Sequence, residues 1–181
     1  MVIKLSGLIY TLILFPLFGA MVIFLMPKKR FELFQPLAIF LSIIPFSVCL
    51  YLFSNENSKG SYQQFDSINW ISSYGIKISL GFSGMSHLLL SLTSILVLSV
   101  TENYSKSKGF IGSILVLHFA VNGVFLSGDL LSLFIFFEAI LIPMYFLMGI
   151  WGGDNRRYAT IKFIIYTVFG SIFIFIGTVY T

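Results

Sequence analysis

Apolar runs and short polar segments alternate along the whole chain, and several of the apolar runs are long. A helix of about 20 residues crosses the roughly 30 Å of hydrocarbon in a bilayer. The runs do not alternate between polar and apolar residues, as the short strands of a membrane barrel do. Backbone polar groups in lipid must be satisfied within their own segment, which favours helices. The pattern predicts an all-α polytopic membrane protein, a single membrane domain with about six transmembrane helices at about 6–26, 33–53, 78–101, 109–127, 130–150 and 159–180.

Two further segments affect this reading. Lys4 precedes the first apolar run, as in a secretory signal, but that run is long and the stronger basic cluster "PKKR" follows it. We therefore expect a retained first helix. The segment 54–77 is polar and rich in Ser, Asn and Gly. It is expected to form a surface loop on the outer side of the membrane.

Composition supports the membrane assignment. The chain is 57% hydrophobic and 10% charged, whereas soluble domains have about a quarter charged residues. The net charge of +4 is spread over short loops, so it indicates membrane orientation and no nucleic-acid partner. Cys49 is the only cysteine, which excludes an intrachain disulfide and cannot ligate an iron–sulfur cluster. No flavin or quinone motif is present, and we expect no cofactor in this chain.

Loop charges predict the direction of the helices. The loops after the first, third and fifth spans are basic, with Lys28, Lys29, Arg30, Lys106, Lys108, Arg156 and Arg157 against Glu102 and Asp154. The segment 54–77 is balanced, and the link after the fourth span carries only Asp129. Because basic loops stay on the cytoplasmic or matrix side, the N-terminus is expected on the outer, intermembrane or periplasmic, side.

Three titratable residues lie well inside the predicted spans: His87, His118 and Glu138. A charged side chain at the bilayer centre costs about 3 kcal/mol on insertion scales. Such residues usually face the protein interior or a wet cavity, so each is a candidate for proton transfer. His87 is the weaker candidate.

His118 and Glu138 are predicted at similar depth. Glu138 follows the Gly128-Asp129 turn by nine residues and His118 precedes it by ten. At 1.5 Å per residue both lie roughly 14–15 Å from the turn, near the midplane. They could form two steps of one proton relay. The alternative for His118 is a structural hydrogen bond to a neighbouring carbonyl.

Other polar features in the spans have both a structural and a functional interpretation. Ser79, Ser83, His87 and Ser91 recur every four residues and predict one polar stripe on the third helix, which favours ordinary helix packing. Pro143 removes a helical donor near Glu138, so a local bend could admit water. Lys162 either snorkels to the interface or takes part in transport.

The segment around Glu138 resembles a known family. "LFIFFEAILIPMYFLMGIWGG" is similar to the fifth-helix signature of subunit 4 of respiratory NADH:ubiquinone oxidoreductase, complex I, through Phe136, Phe137, Glu138, Leu141, Ile142, Pro143, Met144, Trp151 and Gly152. "GDLLSLF" before it and "RRYATIKFIIYTVFGS" after it also fit, the latter through Lys162, Tyr166, Thr167, Gly170 and Ser171. The resemblance covers residues 78–181 well and the first two spans by hydropathy alone.

The resemblance implies a fold and a function. Family members have about fourteen helices in antiparallel repeats, with the N-terminus outside, as the loop charges also predict. The chain would be the N-terminal part of an antiporter-like, proton-translocating and non-redox subunit, while NADH oxidation and quinone reduction occur in partner chains. Glu138 would match the glutamate that pairs with a seventh-helix lysine and tunes its proton affinity. The implied partners are membrane lipids and other membrane-arm subunits, in the mitochondrial inner membrane or, alternatively, a bacterial plasma membrane.

Three departures from the family pattern stand out. The family usually has Asp-Gly where this chain has Ser83-Gly84, and histidine is unusual at the place of His118, where it titrates nearer neutral pH than a carboxylate. The family's later helices and their lysines are not among these 181 residues. We therefore expect a separate chain to supply the missing C-terminal helices. The alternatives are a stand-alone cation/proton antiporter component and a structural remnant that scaffolds the membrane arm.

Overall fold

Six long helices and one short hairpin make up the structure, a computed structural model that describes residues 2–27, 33–55, 63–71, 76–104 and 107–180. The elements in chain order are α1 (Val2–Leu25), α2 (Phe34–Asn55), β1 (Gln63–Ile71), β2 (Ile76–Phe82), α3 (Gly84–Tyr104), α4 (Lys108–Leu126), α5 (Leu130–Trp151) and α6 (Arg156–Tyr180). All six helices are long and apolar enough to cross a membrane, so the prediction of six transmembrane helices is confirmed. The basic residues Lys28, Lys29, Arg30 and Lys106, which carry much of the orientation argument, lie outside the described residues.

The expectation of a loop over 54–77 is wrong for most of the described part of that segment. Strands β1 and β2 pair antiparallel, from Gln63 opposite Phe82 to Ile71 opposite Ile76. In "IKISLGF" every second residue is apolar, which is the period of a strand with one face against the protein. A hydropathy average hides this period because Ile, Leu and Phe raise it whether they recur every second residue or not.

The third helix begins later than predicted, because the hydropathy average also counted the apolar residues of β2. Residues 78–82 belong to β2, and α3 begins at Gly84. Ser83 caps this helix, because its hydroxyl accepts a hydrogen bond from the Ser86 amide at 3.1 Å. The predicted polar stripe is therefore also wrong: Ser79 lies in the strand and Ser83 before the helix, and only His87 and Ser91 share a face of α3.

Helix α4 is the centre of the bundle. It packs mainly against α1 and α5, and also against α3 and α2. Two apolar clusters form the interior of the bundle. One joins α1, α2 and α3 to β2 and the end of α4, and the other joins α1 and α2 to the beginning of α4. Gly112 and Gly123 allow close approach, since a Cβ on Gly123 would lie 2.1 Å from Cδ1 of Phe136 in α5.

A proline in α1 explains a polar contact inside this bundle. Pro16 has no N–H, so the carbonyl of Leu12, four residues earlier, lacks its helical donor. Asn122 of α4 donates from Nδ2 to this carbonyl at 2.9 Å. Asn122 is fully buried, and its amide replaces the missing backbone bond across the α1–α4 interface.

Candidate functional site

Glu138 lies on the wall of an open groove between α5 and α6, with a volume of about 640 Å³. The other lining residues are apolar or aromatic: Ile135, Ala139, Leu141, Ile142, Tyr145, Phe146, Ile164 and Val168. Oε1 of Glu138 is buried and has no hydrogen-bond partner among the residues that the structure describes. A buried carboxylate oxygen without a hydrogen bond is costly, which makes this groove the candidate functional site.

Local sequence holds Glu138 in this position. Asp129 caps the beginning of α5 by accepting from the Ser132 amide at 2.7 Å. At the other end, the Gly152 amide donates to Met148 O, and a Cβ on Gly152 would lie 2.3 Å from that oxygen. Helix α5 continues through Pro143 as an α-helix. Because Pro143 cannot donate to the carbonyl of Ala139, that carbonyl lacks its helical bond directly beside Glu138.

His118 is fully buried in α4 and faces α3. Its Nε2 lies 3.4 Å from the Ser94 hydroxyl, which itself donates to Leu90 O at 2.9 Å. The imidazole is therefore the donor to Ser94, and Nδ1 is left without a partner among the described residues. A cavity of about 270 Å³ between α3 and α4 touches His118 and is otherwise lined by Thr93, Leu96, Val97, Val100, Ile114, Leu117 and Val121.

The structure does not bring His118 and Glu138 together. His118 borders the cavity between α3 and α4, and Glu138 borders the groove between α5 and α6. The space between α4 and α5 is instead filled by aromatic rings, with Phe119 and Phe136 packed edge to face at 5.9 Å. Equal distance from the turn indicated equal depth, and it carried no information about the direction of either side chain.

His87 lies in a separate buried cluster. Its Nδ1 is 3.6 Å from Sγ of Cys49, and its ring packs edge to face on Phe82 at 5.7 Å. Around them are apolar residues of α1, α2 and α3. His87 lines neither the Glu138 groove nor the His118 cavity, and its surroundings favour a packing role.

Lys162 is exposed on α6 and lines neither the Glu138 groove nor the His118 cavity. Its ammonium lies 5.6 Å from the ring centroid of Tyr158 and 5.8 Å from that of Tyr166. These residues are one turn before and one turn after it, so their rings flank the charge along one face of the helix.

Asp129 is a polar centre whose role the sequence reading missed. Its Oδ2 accepts from the Ser79 amide at 2.6 Å and from the Ser79 hydroxyl at 2.7 Å, and the Ser132 hydroxyl also donates to it. The Gly128 amide donates back to Ser79 O at 2.8 Å. This clamp fastens β2 to the turn between α4 and α5. The Asp-x-x-Ser spacing, typical of a helix N-cap, was the available signal.

The electrostatics of the clamp follow from its hydrogen bonds. Burial by itself raises the pKa of Asp129, but the bonds from Ser132 and Ser79 stabilise the ionised form. The net effect is a pKa below its ordinary value of 3.8. Asp129 is thus held as an anion, and it anchors the turn between α4 and α5.

No group of three or more His, Cys, Asp or Glu side chains in the described ranges could hold a metal ion. The fold and the site together define a polytopic helical membrane protein with an open groove beside Glu138, whose Oε1 has no hydrogen-bond partner among the described residues. Comparisons with known proteins agree with this class. Residues 127–181 match a family described as "NADH:quinone oxidoreductase/Mrp antiporter, TM".

Similar full-length proteins come from bacteria and organelles. A chloroplastic "NAD(P)H-quinone oxidoreductase chain 4" of Chara vulgaris is 37% identical over 173 residues, 92% of this chain and 35% of its own length. "NADH-quinone oxidoreductase subunit M" of Rickettsia bellii is 36% identical over 149 residues, 79% of this chain and 30% of its own length. "NADH-ubiquinone oxidoreductase chain 4" of Marchantia polymorpha is 30% identical over 184 aligned positions, 98% of this chain and 36% of its own length.

A solved structure shares the fold. A chain in the structure of the membrane-bound sulfane sulfur reductase, an archaeal respiratory membrane complex, superimposes with a TM-score of 0.72 at 21% identity, over 89% of this chain and 25% of that one. Over most of its length this chain is similar to the antiporter-like membrane subunits of NADH:quinone oxidoreductase. The likeness extends beyond residues 78–181 into the first two helices, and the chain spans about a third of the length of these relatives.

Proposed function

We propose that this chain is the N-terminal part of an antiporter-like, proton-translocating subunit of respiratory complex I. In this role it carries no redox group, and partner chains perform the electron transfer from NADH to quinone. The observation that carries the proposal is the Glu138 carboxylate, whose Oε1 is buried in an apolar groove and has no partner within the part of the chain that the structure describes. The names of the relatives and the match over residues 127–181 support it.

The groove requires a cation from elsewhere. Within the described residues, none of the groove's lining side chains is basic, and Lys162 is exposed outside it. We propose that a helix from a separate chain of the membrane arm covers the groove and brings a lysine to Glu138, as the family resemblance implies. An anion close to the lysine stabilises its charged form, and loss of that contact favours proton release.

His118 is proposed as a second proton-relay residue, separate from Glu138. Among the described residues its Nδ1 has no hydrogen-bond partner, and a cavity lies beside it. Lys162 is proposed to act only where a partner chain covers the exposed face of α6. The membrane is proposed to be the mitochondrial inner membrane, and the bacterial plasma membrane is the alternative.

The test of Glu138 is the Glu138→Gln variant in the assembled complex. The amide keeps the shape and removes the charge, so NADH-driven proton translocation should fall about tenfold or more, because about 1.4 kcal/mol in a barrier is already tenfold. Assembly should be unchanged. The matched control is Glu102→Gln at the exposed end of α3, which removes the same charge outside the groove. Normal pumping by Glu138→Gln would favour the structural remnant.

The test of the partner is the composition of the native complex. Mass spectrometry of the detergent-solubilised assembly should find complex I subunits together with a chain that carries the further helices. Complex I subunits without such a chain would contradict the separate partner.

A second candidate function is a stand-alone cation/proton antiporter, which the family description also names. It predicts sodium-dependent proton exchange in vesicles without NADH, and comigrating antiporter subunits.

A further inference from the structure

A second crevice lies at the end of the α5–α6 hairpin near the basic turn, and it adjoins the Glu138 groove, with which it shares Tyr145 and Phe146. Its volume is about 410 Å³, and its lining residues are Tyr145, Phe146, Gly149, Ile150, Arg157, Thr160 and Ile161. Arg157 is the one charged residue of this lining. Trp151 and Tyr145 flank this end of α5 and are typical of the membrane–water interface. The crevice therefore opens where lipid headgroups meet the hydrocarbon.

The space in the crevice comes from Gly149. A Cβ at this position would meet only Thr160, at 3.8 Å, which is an ordinary van der Waals distance. A larger side chain here would project into the crevice without a backbone clash. The crevice can thus be closed by one substitution that leaves every charge in place.

The two arginines of the turn behave differently. Arg156 donates from Nη1 to Ile150 O at 3.0 Å and so caps the end of α5. Arg157 makes no hydrogen bond or ion pair with any residue in the described part of the chain. Asp154 is the nearby acid of the turn, and it is exposed. The guanidinium of Arg157 is left to a ligand, and its planar fork fits a phosphate group.

The apolar side of the crevice indicates which class of phosphate compound would bind to Arg157. Phe146, Ile150 and Ile161 are exposed by 46%, 52% and 57%, and they continue from Arg157 toward the hydrocarbon. A soluble anion would gain nothing from these three side chains, whereas an acyl chain would bury them at about 25 cal/mol per Å². We propose that the crevice binds one anionic phospholipid, with its phosphate on Arg157 and an acyl chain along Phe146, Ile150 and Ile161. Because the crevice shares Tyr145 and Phe146 with the Glu138 groove, the proposal requires that the partner helix proposed above leave this end of the α5–α6 hairpin to lipid.

The test is photolabelling of the intact complex in phosphatidylcholine vesicles that contain a phosphatidylglycerol probe with a diazirine on its acyl chain. Peptide mapping should find the label between residues 144 and 161. The Arg157→Gln variant should lower labelling there about tenfold, equivalent to about 1.4 kcal/mol. The matched control is Lys162→Gln, which removes the same charge from another face of α6 and should leave the labelling unchanged.

Two further arms complete the test. Gly149→Val should lower the labelling while every charge is retained, which also serves if the Arg157 variant fails to assemble. A phosphatidylcholine probe should label the segment weakly in the wild-type complex. Equal labelling by both probes, equal loss in the Lys162 variant, or full labelling in the Gly149 variant would overturn the proposal. Displacement of the probe by millimolar inorganic phosphate would overturn it in favour of a soluble anion.

Discussion

Helices α4 and α6 are both long and apolar enough to cross a membrane, but α4 is surrounded by other helices and α6 is mostly exposed. Helix α4 packs against α1, α3 and α5, and its polar residues His118 and Asn122 are fully buried. Helix α6 packs mainly against α5, and most of its side chains are exposed. In α4, His118 Nε2 and Asn122 Nδ2 contact partners on neighbouring helices of the same chain, whereas His118 Nδ1 and Asn122 Oδ1 have no partner among the described residues. Glu138, on the edge formed by α5 and α6, faces a groove that still lacks one.

This difference distinguishes intramembrane polar residues that stabilise the fold from those that interact with another component. Asn122 is explained within the chain, because it completes the backbone of α1 at Pro16. Glu138 is not explained within the described residues, since its Oε1 has no donor there. A buried polar group that completes a neighbouring helix stabilises the fold, whereas one beside an open groove indicates an interaction with another component.

The largest expected effect comes from replacing one glycine in each of the two helices by alanine. Gly123→Ala would place a Cβ 2.1 Å from the Phe136 ring, and the forced shift should destabilise the protein by about 3 kcal/mol. Gly170→Ala in α6 meets nothing within 4 Å and should stabilise the helix by up to about 1 kcal/mol. Thermal unfolding in detergent measures both. Loss of assembly in Gly170→Ala alone would mean that a partner packs closely on α6.

The next effect concerns Asn122. Asn122→Leu leaves the Leu12 carbonyl behind Pro16 without a donor, which should cost about 1–3 kcal/mol of the free energy of unfolding. The control is Ser99→Ala, because the Ser99 hydroxyl bonds a carbonyl of its own helix. Unfolding free energies in bicelles test the pair. Unchanged stability of the Asn122 variant would contradict the account of the α1–α4 interface.

A smaller effect is expected at Asp129. Asp129→Ala removes the cap of α5 and should cost about 1 kcal/mol. Asp129→Asn keeps a capping oxygen and removes the charge. Because the folded-state pKa lies below the ordinary value of 3.8, the contribution of the anion is complete above that value and is lost as pH falls through the folded-state pKa.

The pH dependence of unfolding tests this linkage. Below about pH 4 the wild-type protein should lose stability more steeply than Asp129→Asn. Parallel curves for the two proteins would show that the Ser79–Asp129 clamp does not depend on charge.

The smallest effect is expected at Lys162. Among the described residues, the Lys162 ammonium contacts the exposed rings of Tyr158 and Tyr166, so Lys162→Gln should change stability in detergent by less than about 1 kcal/mol. Proton translocation by the assembled complex is the second measurement. A large loss of translocation with unchanged stability would place Lys162 in contact with a partner and would remove the contrast between α4 and α6.

The sequence by itself determined the six helices, because runs of this length and hydropathy are stable only as helices across a bilayer. It also singled out Glu138, since one acid among Phe, Ile and Leu has a high cost that indicates a function. Depth along a helix was predictable as well, because the rise per residue is constant.

Only the tertiary structure decided which way each side chain faces and which helices form the interior. Hydropathy is similar for α4 and α6, so their different burial depends on contacts between distant segments. The alternation in "IKISLGF" was visible, yet its pairing with β1 and its attachment through Ser79 to Asp129 required the fold. His118 and Glu138 share a depth and face different helices, because a helix turns about 100° per residue and a count along the chain gives height without direction.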